Sequence, residues 1–365
     1  MKHLSVMIKP ASSLCNLRCR YCFYEDEASK RNNGSYGVMK AQTMRAVIDN
    51  TFKGLKGRDE ITFAFQGGEP TLAGIEYFKS FTDYVGGKKS KFPKVSISYV
   101  IQTNATLVND EWCKLFKAED FLVGVSLDLH KGCHDRVRVD AEGKATFDKV
   151  MQGINLLKKH EVRYNILCTL TEELAQYPRK VWDVIVKNNF EYVQFTPCMD
   201  GLEEAKGFGL TPTRFAEFYK DIFDRWYADC TAGMSRSIKL FDDIANLMLW
   251  GIKTACGIDG HCSPQIIVEA DGSAYPCDFF CLDEYRIGNL AKDDILTLFE
   301  KAIKSPAGAH ISSPKCDNCR YKSLCGGNCK RMRKNICFLS DSDDYCGYKD
   351  LLDYIGPKIY ELRDD

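Results

Sequence analysis

The sequence lacks a net charge, a membrane-spanning run, a secretion signal and a low-complexity linker. Its 50 basic and 50 acidic residues cancel over 365 positions, so no global field steers it toward nucleic acid or an anionic lipid surface. No uninterrupted apolar run approaches the roughly 20 residues a spanning helix needs, which argues against a membrane protein. The opening MKHLSVMIKPASSLC has neither the long apolar core nor the small-residue cleavage site of a signal peptide. The expected compartment is therefore the reducing cytoplasm. Disorder is excluded by a hydrophobic fraction of 45% and an aromatic fraction of 12%. The length is ample to bury a core without covalent staples and suggests two domains, or one large α/β domain with an appendage.

Against this average background stand 18 cysteines. They make up about 5% of the chain, below the roughly 8–10% of a disulfide-stapled miniprotein. Three lie at Cys15, Cys19 and Cys22, five are scattered between residues 31 and 255, and ten crowd between Cys256 and Cys346. In a reducing compartment such clusters point to metal binding or catalysis rather than to disulfides.

Between the two cysteine fields the chain alternates β-rich runs and helical patterns. Strands are expected at 4–9, 61–66, 96–102, 122–127, 163–170 and 191–197. Helices are expected at 41–55, 75–86, 109–117, 146–159 and 176–188. Several runs are nearly continuous in apolar residues, as strands covered on both faces must be. Six such βα units predict an α/β fold, a partial (β/α)6 TIM-like barrel rather than a closed eight-stranded one. Helices at 211–232 and 238–252 follow, then short strands at 266–269 and 273–276 and a terminal helix near 348–362. A boundary near 235 divides the chain into domains at 1–235 and 236–365.

In barrels of this kind the loops after the strands carry the chemistry. The first such loop reads C-x3-C-x2-C from Cys15 to Cys22. Three thiolates can hold three irons of a [4Fe–4S] cluster and leave the fourth open to a small molecule; the alternative is a zinc site completed by a distant histidine. The second strand ends in Gln66-Gly67-Gly68-Glu69-Pro70, where glycines let backbone approach a ligand closely. A bare turn is the other reading of that string. Near the C-terminus C-x2-C-x5-C-x3-C spans Cys316 to Cys329, with Cys346 beyond. These spacings suit either iron–sulfur clusters or a zinc domain.

The C-x3-C-x2-C loop after strand one, followed by G-G-E-P after strand two, resembles the radical SAM superfamily. The C-terminal cysteines resemble its SPASM extension. Longer strings narrow the resemblance to anaerobic sulfatase-maturating enzymes: I-K-P-A-S-S-x-C-N-L at 8–17, C-F-Y at 22–24, F-A-F-Q-G-G-E-P-T-L-A-G at 63–74 and V-E-A-D-G-S-A-Y-P-C-D-F at 268–279.

The resemblance implies three [4Fe–4S] clusters and S-adenosyl-L-methionine. Cys15, Cys19 and Cys22 would hold the cluster that chelates S-adenosylmethionine. Cys256, Cys262, Cys277 and Cys329 would hold one auxiliary cluster, and Cys316, Cys319, Cys325 and Cys346 the other. The other seven cysteines are read as ordinary thiols. Tyr21 and Met199 would lie near the adenine, Gly67, Gly68 and Glu69 near the methionine amino group, and Ser126 and Arg138 elsewhere on the cofactor. For Met199 an ordinary core side chain, for Ser126 a packing requirement and for Arg138 a solvated surface position are the competing readings. Asp278, directly after Cys277, matches the family's proposed general base, against the plainer reading of a turn aspartate. Ala105 stands where the family commonly has glycine, Leu129-His130 where it has Gly-Pro, and Met199 where it has leucine.

The implied activity is radical oxidation of a cysteine or serine in a Cys/Ser-x-Pro/Ala-x-Arg segment to Cα-formylglycine through a 5′-deoxyadenosyl radical. The partners implied are an unfolded sulfatase polypeptide and a one-electron reductant such as flavodoxin or ferredoxin in an anaerobic cell. The rival reading is a SPASM peptide maturase that forms a thioether or carbon–carbon crosslink; its usual N-terminal leader-peptide domain has no room before a loop that starts at residue 15. A non-catalytic zinc or iron–sulfur protein is a further alternative. Three clusters predict about twelve irons per chain after anaerobic reconstitution, and fewer than about eight would contradict them.

Overall fold

The structure, a computed structural model, describes residues 3–310 and 313–362. Its strands are β1 (His3–Ile8), β2 (Glu60–Phe65), β3 (Ser96–Thr103), β4 (Leu122–Ser126), β5 (Tyr164–Leu170), β6 (Tyr192–Pro197), β7 (Ser237–Ile238), β8 (Ile266–Val268), β9 (Ser273–Tyr275) and β10 (Gly288–Asn289). The helices that matter below are α1 (Phe23–Ser29), α2 (Ala41–Lys53), α3 (Ile75–Lys89), α4 (Asp110–Ala118), α5 (Lys131–Val137), α6 (Phe147–Lys159), α7 (Pro178–Lys187), α8 (Pro212–Thr231) and α9 (Lys239–Trp250). The chain forms two compact units, each assembled from several stretches: 1–126, 138–164 and 264–309 in the first, and 127–137, 165–263 and 310–365 in the second.

In the first unit β1, β2, β3 and β4 pair in parallel, in sequence order. Strand residues alternate between buried and half-buried, so Leu4, Val6 and Ile8 share the core with Ile61, Phe63 and Phe65. Helix α3 places Phe78, Phe81 and Val85 on one stripe, the spacing that turns an amphipathic helix toward a sheet. Phe65 meets Phe78 and Phe81 at ring-centroid distances of 4.9 Å each. Helix α4 starts at Asn109, whose side chain accepts from the Trp112 N–H at 3.0 Å, satisfying a donor that a helix start leaves unpaired.

The short strands expected late in the chain join this same sheet. β8 pairs in parallel with the free side of β1, Val6 opposite Ile266 and Ile8 opposite Val268. β9 folds back antiparallel on β8, and β10 on β9. The ladder continues just past the strand ends: Lys9 N–H donates to the Val268 carbonyl at 2.8 Å and Gln66 N–H to the Ile8 carbonyl at 3.0 Å. Three strand ends, at residues 9, 66 and 269, are thus held side by side.

In the second unit β5 and β6 pair in parallel, as do β6 and β7. Asp128 Oδ1 accepts from the Thr169 N–H at 3.0 Å. Helix α8 begins at Thr211-Pro212, the start signal visible in the sequence, and its Phe215 ring stacks on Tyr348 of the terminal helix (Gly347–Glu361) at 6.1 Å. Gly347 admits this packing because a Cβ there would lie 2.1 Å from the Pro212 carbonyl oxygen.

The expected elements lie where the sequence reading put them, and further helices are added, among them α1, α5 and a helix at Ile295–Lys304. α1 and α5 are seven residues each and show no repeating apolar stripe; the only buried side chain on α1 is Glu27. Among the described residues no helix is long and apolar enough to cross a membrane.

Ala105 has a φ of 57°, a left-handed conformation that costs an alanine about 1–2 kcal/mol and a glycine almost nothing; this explains why glycine suits the position. Gly153 of α6 packs against that turn, and a Cβ on it would lie 2.4 Å from the Ala105 carbonyl oxygen. Gly153→Ala is therefore expected to destabilise the chain by about 1–3 kcal/mol, read as a lower denaturation midpoint; an unchanged midpoint would contradict the packing.

Candidate active site

The cysteine loop occupies the stretch between β1 and α1. Cys15, Cys19 and Cys22 are all half-buried, and Cys22 caps α1. The Leu17 N–H donates to Cys15 Sγ at 3.3 Å, and Cys22 receives the backbone N–H groups of Glu25 and Tyr24. Burial pushes the Cys15 thiol up to about 11, with the Leu17 bond opposing and the nearby Glu69 adding. Sulfurs that face backbone donors fit cluster-bound thiolates, and binding then has to release protons.

The GGEP segment fastens this loop. Gly68 N–H donates to the Ser12 carbonyl at 2.9 Å and Glu69 N–H to the Leu14 carbonyl at 2.7 Å. A Cβ at Gly68 would lie 2.1 Å from the Leu14 carbonyl oxygen, and one at Gly67 would crowd Lys9 and Ser12. Glu69 is buried and saturated: Oε1 accepts from the Thr71 and Thr103 hydroxyls at 2.7 Å each, and Oε2 from Asn104 N–H at 2.8 Å. Asn104 in turn donates to Asn16 Oδ1 at 2.9 Å. These contacts tie the loops after β1, β2 and β3 together.

Two expected cofactor residues meet directly: the Arg138 guanidinium lies over the Tyr21 ring, 5.4 Å from its centroid. The strand-like segment after Arg138 pairs with the cysteine loop, Arg18 N–H donating to the Val139 carbonyl at 2.7 Å. Ser126 accepts from Gln102 Nε2 at 2.8 Å. Met199 is half-buried just past β6, in the second unit.

Asp278 sits at the start of a short turn after β9, in a cluster that the sequence reading assembled only in part. Its Oδ2 accepts from the Tyr24 hydroxyl at 2.6 Å and from Gln66 Nε2 at 3.3 Å. Its Oδ1 lies 3.3 Å from Lys9 Nζ. Gln66 Nε2 also donates to the Tyr24 hydroxyl at 2.6 Å, and the Lys9 ammonium stands over the Tyr24 ring at 4.6 Å. Burial, then the Asp278 carboxylate, hold the Tyr24 phenol well above its usual value, so it stays a donor. Burial works against the charge on Lys9, but Cys281, Asp278, Glu27 and Glu269 together hold it well above its usual value. Removing one member of such a buried charge group leaves the others uncompensated, at about 3–5 kcal/mol. Lys9, Tyr24 and Gln66 all lie inside the family-like strings; a lysine ending the apolar run LSVMIK was the available signal.

The remaining cysteines divide between the units. Cys277 belongs to the first unit. In the second, Cys256 and Cys262 are hydrogen-bonded, which draws the Cys256 thiol down to about 6, and a Cβ on Gly257 would lie 2.9 Å from Cys329 Cβ. Cys316, Cys319, Cys325 and Cys346 line one pocket. Cys337, read from the sequence as an ordinary thiol, lines it too. Its hydrogen bonds to Cys325 and Cys346 draw both of those thiols down, Cys346 to about 6. Among the described residues no three His, Cys, Asp or Glu side chains are grouped so as to hold a single metal ion.

The sequence model of the radical SAM superfamily matches residues 10–177. The cysteine-type anaerobic sulfatase-maturating enzyme of Clostridium novyi (strain NT) is 39% identical over 92% of this chain and 90% of its own length. The serine-type enzyme of Bacteroides thetaiotaomicron is 30% identical over 91% of this chain and 84% of its own. Among solved structures, native anSMEcpe with bound AdoMet and Cp18Cys peptide aligns with a TM-score of 0.88 at 35% identity, covering 99% of both chains.

Gly68→Ala should displace the cysteine loop and lower the iron bound at Cys15, Cys19 and Cys22. Iron analysis of a variant lacking the C-terminal cysteines reads this directly, and full loading would contradict the close packing.

Proposed function

This chain belongs to the radical SAM superfamily and, within it, to the anaerobic sulfatase-maturating enzymes, and from that membership we propose that it oxidises a cysteine of an unfolded sulfatase segment, Cys-x-Pro/Ala-x-Arg, to Cα-formylglycine. Membership implies a [4Fe–4S] cluster and S-adenosylmethionine. Cysteine rather than serine as the target is supported by the higher identity of the cysteine-type relatives, 39% and 37% against 30%. Residues 1–235 are read as the radical half and 236–365 as the half that carries auxiliary clusters.

When bound, the cluster and S-adenosylmethionine supply the radical that removes a hydrogen atom from the substrate Cβ. Cys15, Cys19 and Cys22 would hold that cluster. Tyr21 and Arg138, stacked on one another, together with Gly67, Gly68 and Ser126, form the proposed cofactor surface. Glu69, whose oxygens are occupied by Thr71, Thr103 and Asn104, contributes by holding three loops in register. Cys256, Cys262, Cys277 and Cys329 are proposed to hold one auxiliary cluster, and Cys316, Cys319, Cys325 and Cys346 the other. A small one-electron carrier such as flavodoxin or ferredoxin is the proposed reductant.

The observation that carries the reading is the environment of Asp278. Its oxygens face Lys9 on one side and Tyr24 and Gln66 on the other, so the carboxylate is fixed in orientation. A carboxylate so placed can take the proton that leaves the substrate side chain as it is oxidised. The electron left on the substrate radical would pass to the auxiliary clusters, and the thioaldehyde formed from cysteine then reacts with water to give the aldehyde and hydrogen sulfide.

The anaerobically reconstituted enzyme, supplied with reductant, S-adenosylmethionine and a Cys-x-Pro-x-Arg peptide, should yield 5′-deoxyadenosine and a peptide aldehyde in parallel. Asp278→Asn should keep its iron while product formation falls by about 100-fold or more. Full activity in that variant, or deoxyadenosine with an unmodified peptide in the wild type, would contradict the reading.

A further inference from the structure

Glu27 is the buried side chain on which α1 turns inward. Its Oε1 accepts from the Cys281 N–H at 3.1 Å. Its Oε2 has no hydrogen-bond partner and lies 3.7 Å from Lys9 Nζ. The same ammonium stands 3.3 Å from Asp278 Oδ1 and 3.9 Å from Glu269 Oε1, and donates to Cys281 Sγ at 3.2 Å. Glu269 has its own cation: Arg31 Nη1 lies 2.5 Å from Oε1, and the Ser12 hydroxyl donates to Oε2 at 2.8 Å. Lys9 is left as one cation between two carboxylates, Glu27 and Asp278.

We propose that Glu27 is a positioning residue for the oxidation: by competing for the Lys9 ammonium it sets how tightly Asp278 Oδ1 is held, and so how freely that carboxylate meets the substrate. The inference rests on the reading of Asp278 as the base. In a buried site, where Coulomb interactions are weakly screened, a shared cation cannot serve two anions at full strength.

The groups that face Glu27 are Lys9 from the end of β1, Tyr24 on α1 itself, Asp278 and Cys281 from the turn after β9, and Arg31 from just past α1. Burial pushes the Glu27 carboxyl up to about 7, Asp278 adding and Lys9 and Arg31 opposing. Below that pH Glu27 is neutral and Lys9 is drawn to Asp278. Above it Glu27 is an anion, shares the ammonium and loosens its hold on Asp278. Product formed per 5′-deoxyadenosine should therefore climb as pH rises through about 7. Glu27→Gln keeps the volume and the Oε1 acceptor for the Cys281 N–H, so it tests the charge and not the packing.

The test measures deoxyadenosine and aldehyde peptide from about pH 6 to about pH 8, using iron-replete full-length enzyme and the Cys-x-Pro-x-Arg peptide. The wild-type ratio of product to deoxyadenosine is expected to rise severalfold across this range. In Glu27→Gln it should stay at its low-pH value, with the peptide KM unchanged. Lys9→Met should likewise lose the pH response. An equal rise in Glu27→Gln, or a flat wild-type ratio, overturns the proposal. Failure of the underlying reading would be separate and visible, as retained activity in Asp278→Asn.

Discussion

The structure depends on a lysine ammonium that cannot reach water. β1 is an apolar strand that ends in Lys9, 2% exposed, and a buried cation persists only where acceptors surround it. Here four acceptors come from three places in the chain. Glu27 arrives on α1, Glu269 from the end of β8, and Asp278 and Cys281 from the turn after β9. The β1–β8 pairing makes this convergence, because it sets residues some 260 positions apart in adjacent register. The proposed base and the cysteine loop are thereby fixed to the same strand end.

The glycine motif does a second mechanical job. Gly67 and Gly68 let the loop after β2 press against the backbone of residues 12–14, and Glu69 reaches from there to the loop after β3. The loops after β1, β2 and β3 become one body of hydrogen bonds. A buried polar network of this kind specifies one arrangement when every member is satisfied. Preorganisation of the three cysteines follows from carbonyl and amide contacts made by the backbone of the neighbouring loops.

Much of this was legible in the sequence. The βα alternation gives the strands to within about two residues, because each apolar run is bounded by helix starts and turn residues. The cysteine spacings locate the loops, and the family-like strings identify the chemistry. The environment of Asp278 was not legible, for a physical reason: strand periodicity says nothing about which edge of β1 a three-residue strand such as β8 will choose. Without that pairing Lys9 reads as a surface lysine and Glu27 as one acid in the run EDEA. α1 escaped notice because its buried face is a single carboxylate, and Cys337 because its place in the cavity depends on the turn that precedes the terminal helix.

The central claim is that this chain takes a hydrogen atom from the Cβ of a sulfatase cysteine and completes the oxidation beside Asp278. The most direct measurement uses a Cys-x-Pro-x-Arg peptide deuterated at the cysteine Cβ. The account predicts deuterium in the 5′-deoxyadenosine, with a matching amount of peptide aldehyde. Undeuterated 5′-deoxyadenosine beside an unchanged peptide would contradict it.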